Sequence, residues 1–131
     1  MGKKVGLVQD DLDCKEVMRY ILEQEGFEVI ALDTNQAVTN MPADCDLLIV
    51  DEFAEGRTGC EICRIVKDNM KTANRAVILS STTTGVEHIS EMSKADGFLA
   101  KPFDINYFIA LVKSFCFPDV SALSHSKLIN L

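Results

Sequence analysis

The spacing of hydrophobic residues along the chain switches repeatedly between the period of a strand and the period of a helix. Short, mostly apolar runs, typical of strands buried in a sheet, occupy residues 5–9, 27–32, 46–50, 76–79 and 97–100. Between and after these runs, residues 12–25, 34–41, 59–70, 86–93 and 105–117 are typical of helices. Five strands that alternate with five helices predict a parallel sheet covered on both faces, because each crossover is right-handed.

Two of these helices carry detailed expectations about burial. In the first helix, which should stop at Gly26, the residues expected to face inward are Cys14, Val17, Met18, Ile21 and Leu22. In the third helix, which should begin at Gly59, they are Ile62, Cys63, Val66 and Met70. The hydroxyl-rich stretch 80–85 is expected to be a loop whose last residues cap the next helix.

Length and composition favour one ordinary globular domain. The chain has 131 residues, of which 47% are hydrophobic and 25% charged, and no apolar stretch approaches a membrane span or the core of a signal peptide. Its net charge of -7 disfavours direct nucleic-acid binding, which depends on basic side chains. We therefore expect a cytoplasmic domain over residues 1–117, with no membrane partner, and a tail or the start of a linker over residues 118–131.

The five cysteines form an odd number in a chain without an export signal, which favours reduced thiols over disulfides. Cys60 and Cys63 form a CxxC motif, the spacing of many redox and zinc sites. No second pair accompanies it, and both histidines lie far off in sequence, whereas a zinc site needs four ligands. Because positions i and i+3 share one face of a helix, both thiols are more simply explained as small core residues.

Charged side chains follow three of the predicted strands. Asp10 and Asp11 come at the end of the first, Asp51 closes the third, and Lys101 follows the fifth. The carboxyl ends of parallel strands meet at one edge of a sheet, so these side chains are expected to converge. Carboxylates gathered there repel one another unless a cation compensates, and a lysine beside them suits a bound anion. A hard divalent cation together with an anion indicates phosphate chemistry.

The arrangement resembles the receiver domain of bacterial two-component response regulators, the CheY-like domain, over residues 3–117. The resemblance is carried by Asp10-Asp11, Asp51 with Gly59 eight residues later, Ser80 after the fourth strand, Lys101-Pro102-Phe103 after the fifth, and Ala95-Asp96-Gly97-Phe98 before it. Each motif is common by itself, but the set in this order on a matching skeleton is specific. The resemblance implies a single doubly wound (βα)5 three-layer sandwich of the flavodoxin-like type, with strand order 2-1-3-4-5.

The resemblance also implies a role for each residue. Asp51 would accept the phosphoryl group, and Lys101, aimed by a cis bond to Pro102, would pair with the phosphoryl oxygens. The implied Mg²⁺ ligands are Asp10, Asp11, Asp51 and the backbone carbonyl of Phe53. Ser80 would turn toward the phosphoryl group, and Phe98 would rotate inward into the vacated space, which changes the domain surface.

The implied partners are a sensor histidine kinase or a histidine phosphotransfer protein, together with a downstream output domain or target. The domain would catalyse its own phosphorylation and a slow autodephosphorylation, without being a turnover enzyme. A homodimer through the predicted fourth helix, fifth strand and fifth helix is compatible with the resemblance.

Ordinary structural roles exist for each of these residues. Asp10 and Asp11 could cap a helix, Lys101 could be a solvated turn residue, and Asp51 could merely end a strand. Phe98 could be a half-buried strand aromatic, without the hydroxyl that a tyrosine would carry at the switch position. These roles explain each residue singly but not their agreement as a set.

The chain also departs from the family pattern. Gln9 replaces an aliphatic residue at a buried strand end and needs hydrogen-bond partners there. Gly6 weakens the same strand unless the backbone or a ligand passes close. Glu55 stands where a proline is usual, which predicts a more mobile loop over residues 52–58. The bulk of Phe53, which with Thr82 would flank the access of attacking water, predicts a long-lived phosphoryl group.

Three other functions compete with the phospho-accepting receiver. A pseudo-receiver would use the same fold for protein interaction without phosphorylation, and Gln9 and Glu55 favour that alternative. A Mg²⁺-dependent phosphatase with an aspartyl nucleophile would need an acid at position 53, where the chain has Phe53. A nucleotide-binding protein would need a glycine-rich phosphate loop, which the sequence lacks.

Overall fold

The computed structural model describes residues 3–54, 56–82 and 94–118. Within them the chain forms seven strands and four helices. The strands are β1 (Lys4–Val8), β2 (Glu28–Ala31), β3 (Leu47–Asp51), β4 (Phe53–Ala54), β5 (Arg57–Thr58), β6 (Ala76–Ser81) and β7 (Gly97–Ala100). The helices are α1 (Leu12–Gln24), α2 (Thr34–Thr39), α3 (Gly59–Asp68) and α4 (Ile105–Cys116). The helix predicted over residues 86–93, the tail from residue 119, residue 55 and the side chains of residues 53 and 54 lie outside the described part of the chain.

Five strands form one parallel sheet in the order β2-β1-β3-β6-β7, which is the predicted order 2-1-3-4-5. The remaining two strands, β4 and β5, pair antiparallel as a separate small hairpin. In the parallel sheet Val8 lies opposite Val50, and Asp51 lies opposite Ser80. This register brings the carboxyl ends of β1, β3 and β6 level with one another, so the residues that follow them share one edge.

The sheet is covered on both faces, and β3 contributes alternate residues to each core. Leu47 and Ile49 pack with α1 and α4, whereas Leu48 and Val50 pack with α2 and α3. All four side chains are fully buried. Because burial of such a side chain contributes roughly 1.5–3 kcal/mol, this strand anchors the fold. Its last residue, Asp51, is thereby held in place.

Each of the four helices begins at a side chain that accepts a backbone N–H. The capping residues are Asp11 for α1, Asp33 for α2, Thr58 for α3 and Asp104 for α4. In α2 the side chain of Gln36 also accepts the backbone N–H of Asp33, which completes a capping box. Caps of this kind are worth about 1 kcal/mol each, so the short helices start where the sequence places a hydroxyl or carboxylate.

Two local expectations are wrong. Met70 was expected inward but is 95% exposed, because α3 ends at Asp68 and Met70 lies in the following turn. Val17 is 51% exposed, since it lies at the outer flank of α1 while Met18, Ile21 and Leu22 are buried. The loop over residues 52–58 contains the β4–β5 hairpin, because two residues on each side pair across a turn at Gly56.

Gly6 in β1 is explained by close approach of other side chains. A Cβ atom at this position would lie 2.9 Å from Cδ1 of Leu32 and 3.1 Å from Sγ of Cys45. The missing side chain therefore makes room for the core instead of weakening the strand. Of the helices in the described residues, none combines the length and apolar character needed to cross a membrane.

Candidate functional site

Asp51 ends the central strand β3 and is only 7% exposed. Its Oδ1 atom accepts a hydrogen bond from the Lys101 ammonium at 2.9 Å and another from the backbone N–H of Glu52 at 2.9 Å. Both contacts fall on the same oxygen. A carboxylate held through one oxygen keeps the other, Oδ2, for a ligand or a reaction.

Lys101 comes to Asp51 from the neighbouring end of β7. Its backbone N–H donates to the carbonyl of Ser81 at 3.0 Å, and its peptide bond to Pro102 is cis, as the resemblance implies. Burial by itself lowers the pKa of Lys101, but the hydrogen bond and the negative charge of Asp51 outweigh it and raise the pKa above its ordinary value. Lys101 is therefore a firmly protonated cation in a half-buried position.

The two acids after β1 occupy different environments. Asp11 caps α1, since its Oδ1 accepts the backbone N–H groups of Asp13 at 3.0 Å and Cys14 at 3.2 Å. Asp10 precedes it and is exposed. The capping role that the sequence left open is thus real for Asp11, and it also uses only one carboxylate oxygen. Asp11 can therefore cap the helix through Oδ1 and bind a ligand through Oδ2, just as Asp51 keeps one carboxylate oxygen beside its hydrogen bonds.

Electrostatics shows that these groups share one region. The negative charges of both Asp51 and Asp11 help to raise the pKa of Lys101. Cys14, which the sequence did not suggest as a site residue, places its Sγ 3.9 Å from the Lys101 ammonium. Burial raises the pKa of this thiol, while the charge of Lys101 opposes the rise. The sheet therefore brings together Asp11, Asp51, Lys101 and Cys14.

Ser80 lies directly opposite Asp51 in the β3–β6 pair. It is completely buried, and its Oγ has no hydrogen-bond partner among the described residues. A buried hydroxyl without a partner is uncommon, because it loses its bond to water and gains nothing in return. Ser80 therefore has a donor available beside the acidic edge. Phe98, in β7, is half-buried.

Gly59 fixes the backbone behind Asp51. A Cβ atom at Gly59 would collide with the backbone oxygen of Asp51 and would lie 2.7 Å from Cδ1 of Leu79. The backbone N–H of Gly59 also donates to the carbonyl of Glu52 at 2.7 Å. Only glycine allows the start of α3 to press this closely on the end of β3. This contact explains the spacing of eight residues between Asp51 and Gly59.

Glu52 makes a contact network that sequence reasoning missed. Its Oε2 accepts the Ser81 hydroxyl at 2.9 Å, and its Oε1 accepts both the backbone N–H of Thr82 at 3.1 Å and the Thr82 hydroxyl at 2.7 Å. One carboxylate thus joins the residue after Asp51 to the end of β6. The signal in the sequence was an acid after Asp51 facing a run of hydroxyl residues one strand away.

Gln9 confirms the concern raised by its sequence position. Its side chain is 7% exposed, and neither its amide oxygen nor its amide nitrogen has a partner among the described residues. The amide lies just beyond β1 and immediately before Asp10. The departure from the family pattern therefore adds an uncompensated polar group at the same edge of the sheet.

The carboxylate oxygens at this edge of the sheet are the type of ligand that a hard divalent cation prefers. No group of three or more histidine, cysteine, aspartate or glutamate side chains in the described part of the chain is assembled as a complete metal site. Mg²⁺ does not require one, since it keeps several waters and takes one or two carboxylates. Asp11 engages its hydrogen-bond donors through Oδ1, which leaves its Oδ2 for such a ligand.

Solved structures of receiver domains share this fold. The receiver domain of a sensor histidine kinase from Pseudomonas aeruginosa, solved with Mg²⁺ in its active-site cleft, is 19% identical, with 88% of this chain and 98% of that chain covered and a TM-score of 0.78. The receiver domain of a histidine kinase from Syntrophus aciditrophicus is 23% identical, with coverages of 88% and 90% and a TM-score of 0.79. The response regulator TrrA from Thermotoga maritima, solved with Mg²⁺ and beryllium fluoride, is 22% identical, with coverages of 86% and 98% and a TM-score of 0.74.

The sequence itself matches the family of response regulator receiver domains over residues 5–113. This range contains Asp10, Asp11, Asp51, Ser80 and Lys101. It also runs from β1 into α4, so the match spans the whole parallel sheet. The chain belongs to the response regulator receiver domain family.

Proposed function

We propose that this receiver domain accepts a phosphoryl group on Asp51 from a histidine kinase or a histidine phosphotransfer protein in the cytoplasm, with Mg²⁺ as cofactor. The observation that carries the proposal is the buried pair of Asp51 and Lys101, with 2.9 Å between Oδ1 and Nζ and with side chains 9% and 14% exposed. A nucleophile and a cation held together at the carboxyl edge of the sheet suit transfer of an anionic group.

In the proposed reaction, Oδ2 of Asp51 attacks the phosphorus of a phosphohistidine. The new P–O bond forms as the P–N bond breaks, and the imidazole leaves with the electron pair of that bond. Oδ1 already accepts two hydrogen bonds, so Oδ2 is the more nucleophilic oxygen. The product is an aspartyl phosphate on β3, and the domain returns to its starting state when water hydrolyses it.

Lys101 supplies the fixed positive charge of the site. Its raised pKa keeps it protonated throughout the neutral range, so it can pair with phosphoryl oxygens as a point charge. Asp10 and Asp11 would hold Mg²⁺ with Asp51 and the backbone carbonyl of Phe53. When bound, the cation offsets repulsion between the incoming phosphoryl group and the carboxylates.

The output of the reaction is proposed to run through Ser80 and Phe98. Ser80 has a buried hydroxyl without a partner in the part of the chain that the structure describes, and it lies opposite Asp51. A phosphoryl group on Asp51 would give that hydroxyl an acceptor and shift the end of β6. Phe98 lies opposite Leu79, the residue before Ser80, so it would respond to the shift. The surface so changed would engage an output domain, a target protein or a second copy.

The test is phosphorylation by a small-molecule donor. Incubated with Mg²⁺ and acetyl phosphate, the wild-type protein should gain the mass of one phosphoryl group. Asp51→Asn should gain none, because an amide does not attack phosphorus. Asp13→Asn is the matched control, since Asp13 is exposed in the first turn of α1, and it should behave as the wild type. An unmodified wild-type protein would favour the pseudo-receiver instead.

The lifetime of the phosphoryl group is a second outcome to measure. The bulk at position 53 is proposed to hinder attacking water and so to prolong the aspartyl phosphate. Replacing Phe53→Asn should shorten its half-life about tenfold, if the residue accounts for about 1.4 kcal/mol of the hydrolysis barrier. The half-life is followed by intact mass after removal of acetyl phosphate. An unchanged or longer half-life would contradict the role of Phe53.

A further inference from the structure

Glu52 places an anion on hydrogen-bond donors at the end of β6. Its carboxylate accepts three hydrogen bonds, of 2.7, 2.9 and 3.1 Å, from the Thr82 hydroxyl, the Ser81 hydroxyl and the Thr82 backbone N–H. A charged acceptor makes each of these bonds stronger than a bond between neutral groups. The donors are therefore occupied in the unmodified protein.

The same donors lie beside the proposed phosphoryl acceptor. Ser80 is the register partner of Asp51, and Thr82 follows two residues later along the same strand end. Thr82 directly follows Ser81, the last residue of β6, and the hydroxyls of both residues donate to the Glu52 carboxylate. Glu52 is the residue directly after Asp51. Its carboxylate and a phosphoryl group on Asp51 would therefore lie near the same hydrogen-bond donors at the end of β6.

We infer that the Glu52 carboxylate is an internal competitor of the phosphoryl group for the Thr82 donors, and is thus a positioning residue that restrains the end of β6 before phosphorylation. The inference rests on the proposed function of Asp51. In the unmodified state Glu52 takes the role of an anionic ligand and holds Thr82. A phosphoryl group on Asp51 must displace it before the Thr82 N–H and hydroxyl can turn to the new oxygens.

Neutralising Glu52 should therefore favour the modified state. In Glu52→Gln the side chain keeps its length and one acceptor oxygen but loses the charge that strengthens the three bonds. We expect the rate of phosphorylation by acetyl phosphate to rise about tenfold, as for loss of one charge-assisted hydrogen bond. The concentration of beryllium fluoride that half-saturates the protein in the presence of Mg²⁺ should fall by a similar factor.

A general effect of charge is separated by a matched variant. Glu61 lies in the first turn of α3, which begins against the backbone of Asp51, and its carboxylate pairs with Arg57 at 3.1 Å. Glu61→Gln removes the same charge from the neighbourhood without touching β6, so its rate should stay near the wild-type value. The variant Thr82→Val removes the hydroxyl that Glu52 binds and keeps the shape of the side chain. In the double variant with Glu52→Gln, the change in phosphorylation rate should be smaller than the sum of the changes in the two single variants, expressed as free energies.

Hydrogen exchange gives a readout that does not require phosphorylation. In the unmodified protein the Thr82 amide should exchange faster in Glu52→Gln than in the wild type or in Glu61→Gln. A wild-type protein that takes up phosphoryl groups while Glu52→Gln and Glu61→Gln react equally would overturn this inference and leave the proposed function intact. A wild-type protein that takes up none would overturn both. Unchanged Thr82 exchange in Glu52→Gln would also overturn the inference.

Discussion

The two ends of the parallel sheet differ in how completely their charged and buried polar groups are paired. At the amino end, the Lys4 ammonium lies 2.7 Å from Asp44 and 3.1 Å from Glu28, and its backbone N–H donates to Asp46 at 2.9 Å. Lys67 likewise donates to the carboxylate of Asp96 at 2.9 Å. Both lysines are paired with carboxylates at this end, although the buried Nε of Arg75 has no hydrogen-bond partner among the described residues.

Lys67 and Asp96 also satisfy the backbone at the amino end. Lys67 donates to the carbonyl of Arg75 at 2.9 Å, and Asp96 accepts the backbone N–H of Val77 at 2.8 Å. Each charged group therefore joins an ion pair and a hydrogen bond to the main chain. This end of the sheet serves stability.

At the carboxyl end the pairing is incomplete. Asp51 is paired with Lys101, the charge of Asp11 also helps to raise the pKa of that lysine, and the buried hydroxyl of Ser80 has no partner among the described residues. The buried amide of Gln9 has none there either. Native proteins seldom leave buried polar groups in this condition unless a site needs them. The difference indicates that the carboxyl end is organised for a ligand at some cost in stability.

The largest expected effect comes from removing the lysine of the carboxyl end. Lys101→Met should slow phosphorylation by acetyl phosphate about 100-fold, as for loss of one fixed charge at a reacting group. It should also lower the free energy of unfolding by about 3 kcal/mol, because Asp51 is left buried without its cation. Both are measured on the same preparations, by intact mass and by urea unfolding.

The matched control for Lys101→Met is Lys67→Met at the amino end. This change should cost about 1–3 kcal/mol in stability, because Asp96 and the Arg75 carbonyl lose a charged donor. The phosphorylation rate should remain that of the wild type. Equal loss of phosphorylation in the two variants would show that the two ends do not differ in function.

A smaller effect distinguishes a glutamine without partners from one that is paired. Gln9→Leu should raise the free energy of unfolding by about 1 kcal/mol, since it removes a buried amide that makes no hydrogen bond to any described residue. Gln36→Leu should lower it by about 1 kcal/mol, since Gln36 completes the capping box with Asp33. Urea unfolding of both variants checks the signs, and a destabilised Gln9→Leu would mean that the amide has a partner.

A last effect appears only at high pH and concerns a thiol at the amino end. Burial raises the pKa of Cys116 from 9.0 to about 11. The unfolded chain therefore releases this proton first as the pH rises. The stability contributed by the neutral thiol is complete below pH 9.0 and is lost as the pH approaches about 11.

Cys116→Ala should remove this component of the pH dependence, which is on the order of 1–2 kcal/mol. The measurement is the difference between wild type and variant in urea unfolding at neutral pH and again above pH 9.0. A difference that stays constant across that interval would contradict burial of the neutral thiol.

The sheet and its edge followed from the sequence because the apolar runs are strong and the site residues sit at strand ends. A central strand such as Leu47–Asp51 is buried throughout, so its continuous apolar run is readily predicted as a strand of a parallel sheet. Strand order came from the family resemblance, since periodicity does not say which strands are neighbours. The convergence of Asp51 and Lys101 then followed from parallel topology alone.

Features that depend on a few atoms were not predictable in the same way. The helical spacing of apolar residues continues past Asp68 and so predicts that Met70 faces inward. The helix ends at Asp68, however, and beyond that residue the spacing no longer indicates which side chains are buried. The hairpin at residues 53–58 rests on two residue pairs, too few for a periodic signal. The Glu52 network joins residues 30 positions apart through side-chain length and rotamer, which a pattern of apolar positions does not encode.

The contact between Gly59 and the carbonyl of Asp51 limits how this domain can be redesigned. Any side chain at position 59 would push on the main chain that carries the Asp51 carboxylate, so a variant library must leave that position alone. Glu52 is different, because its contacts are made by the end of a flexible side chain. Tuning of the proposed signal should therefore begin one residue after the proposed acceptor, while the glycine eight residues after it is kept fixed.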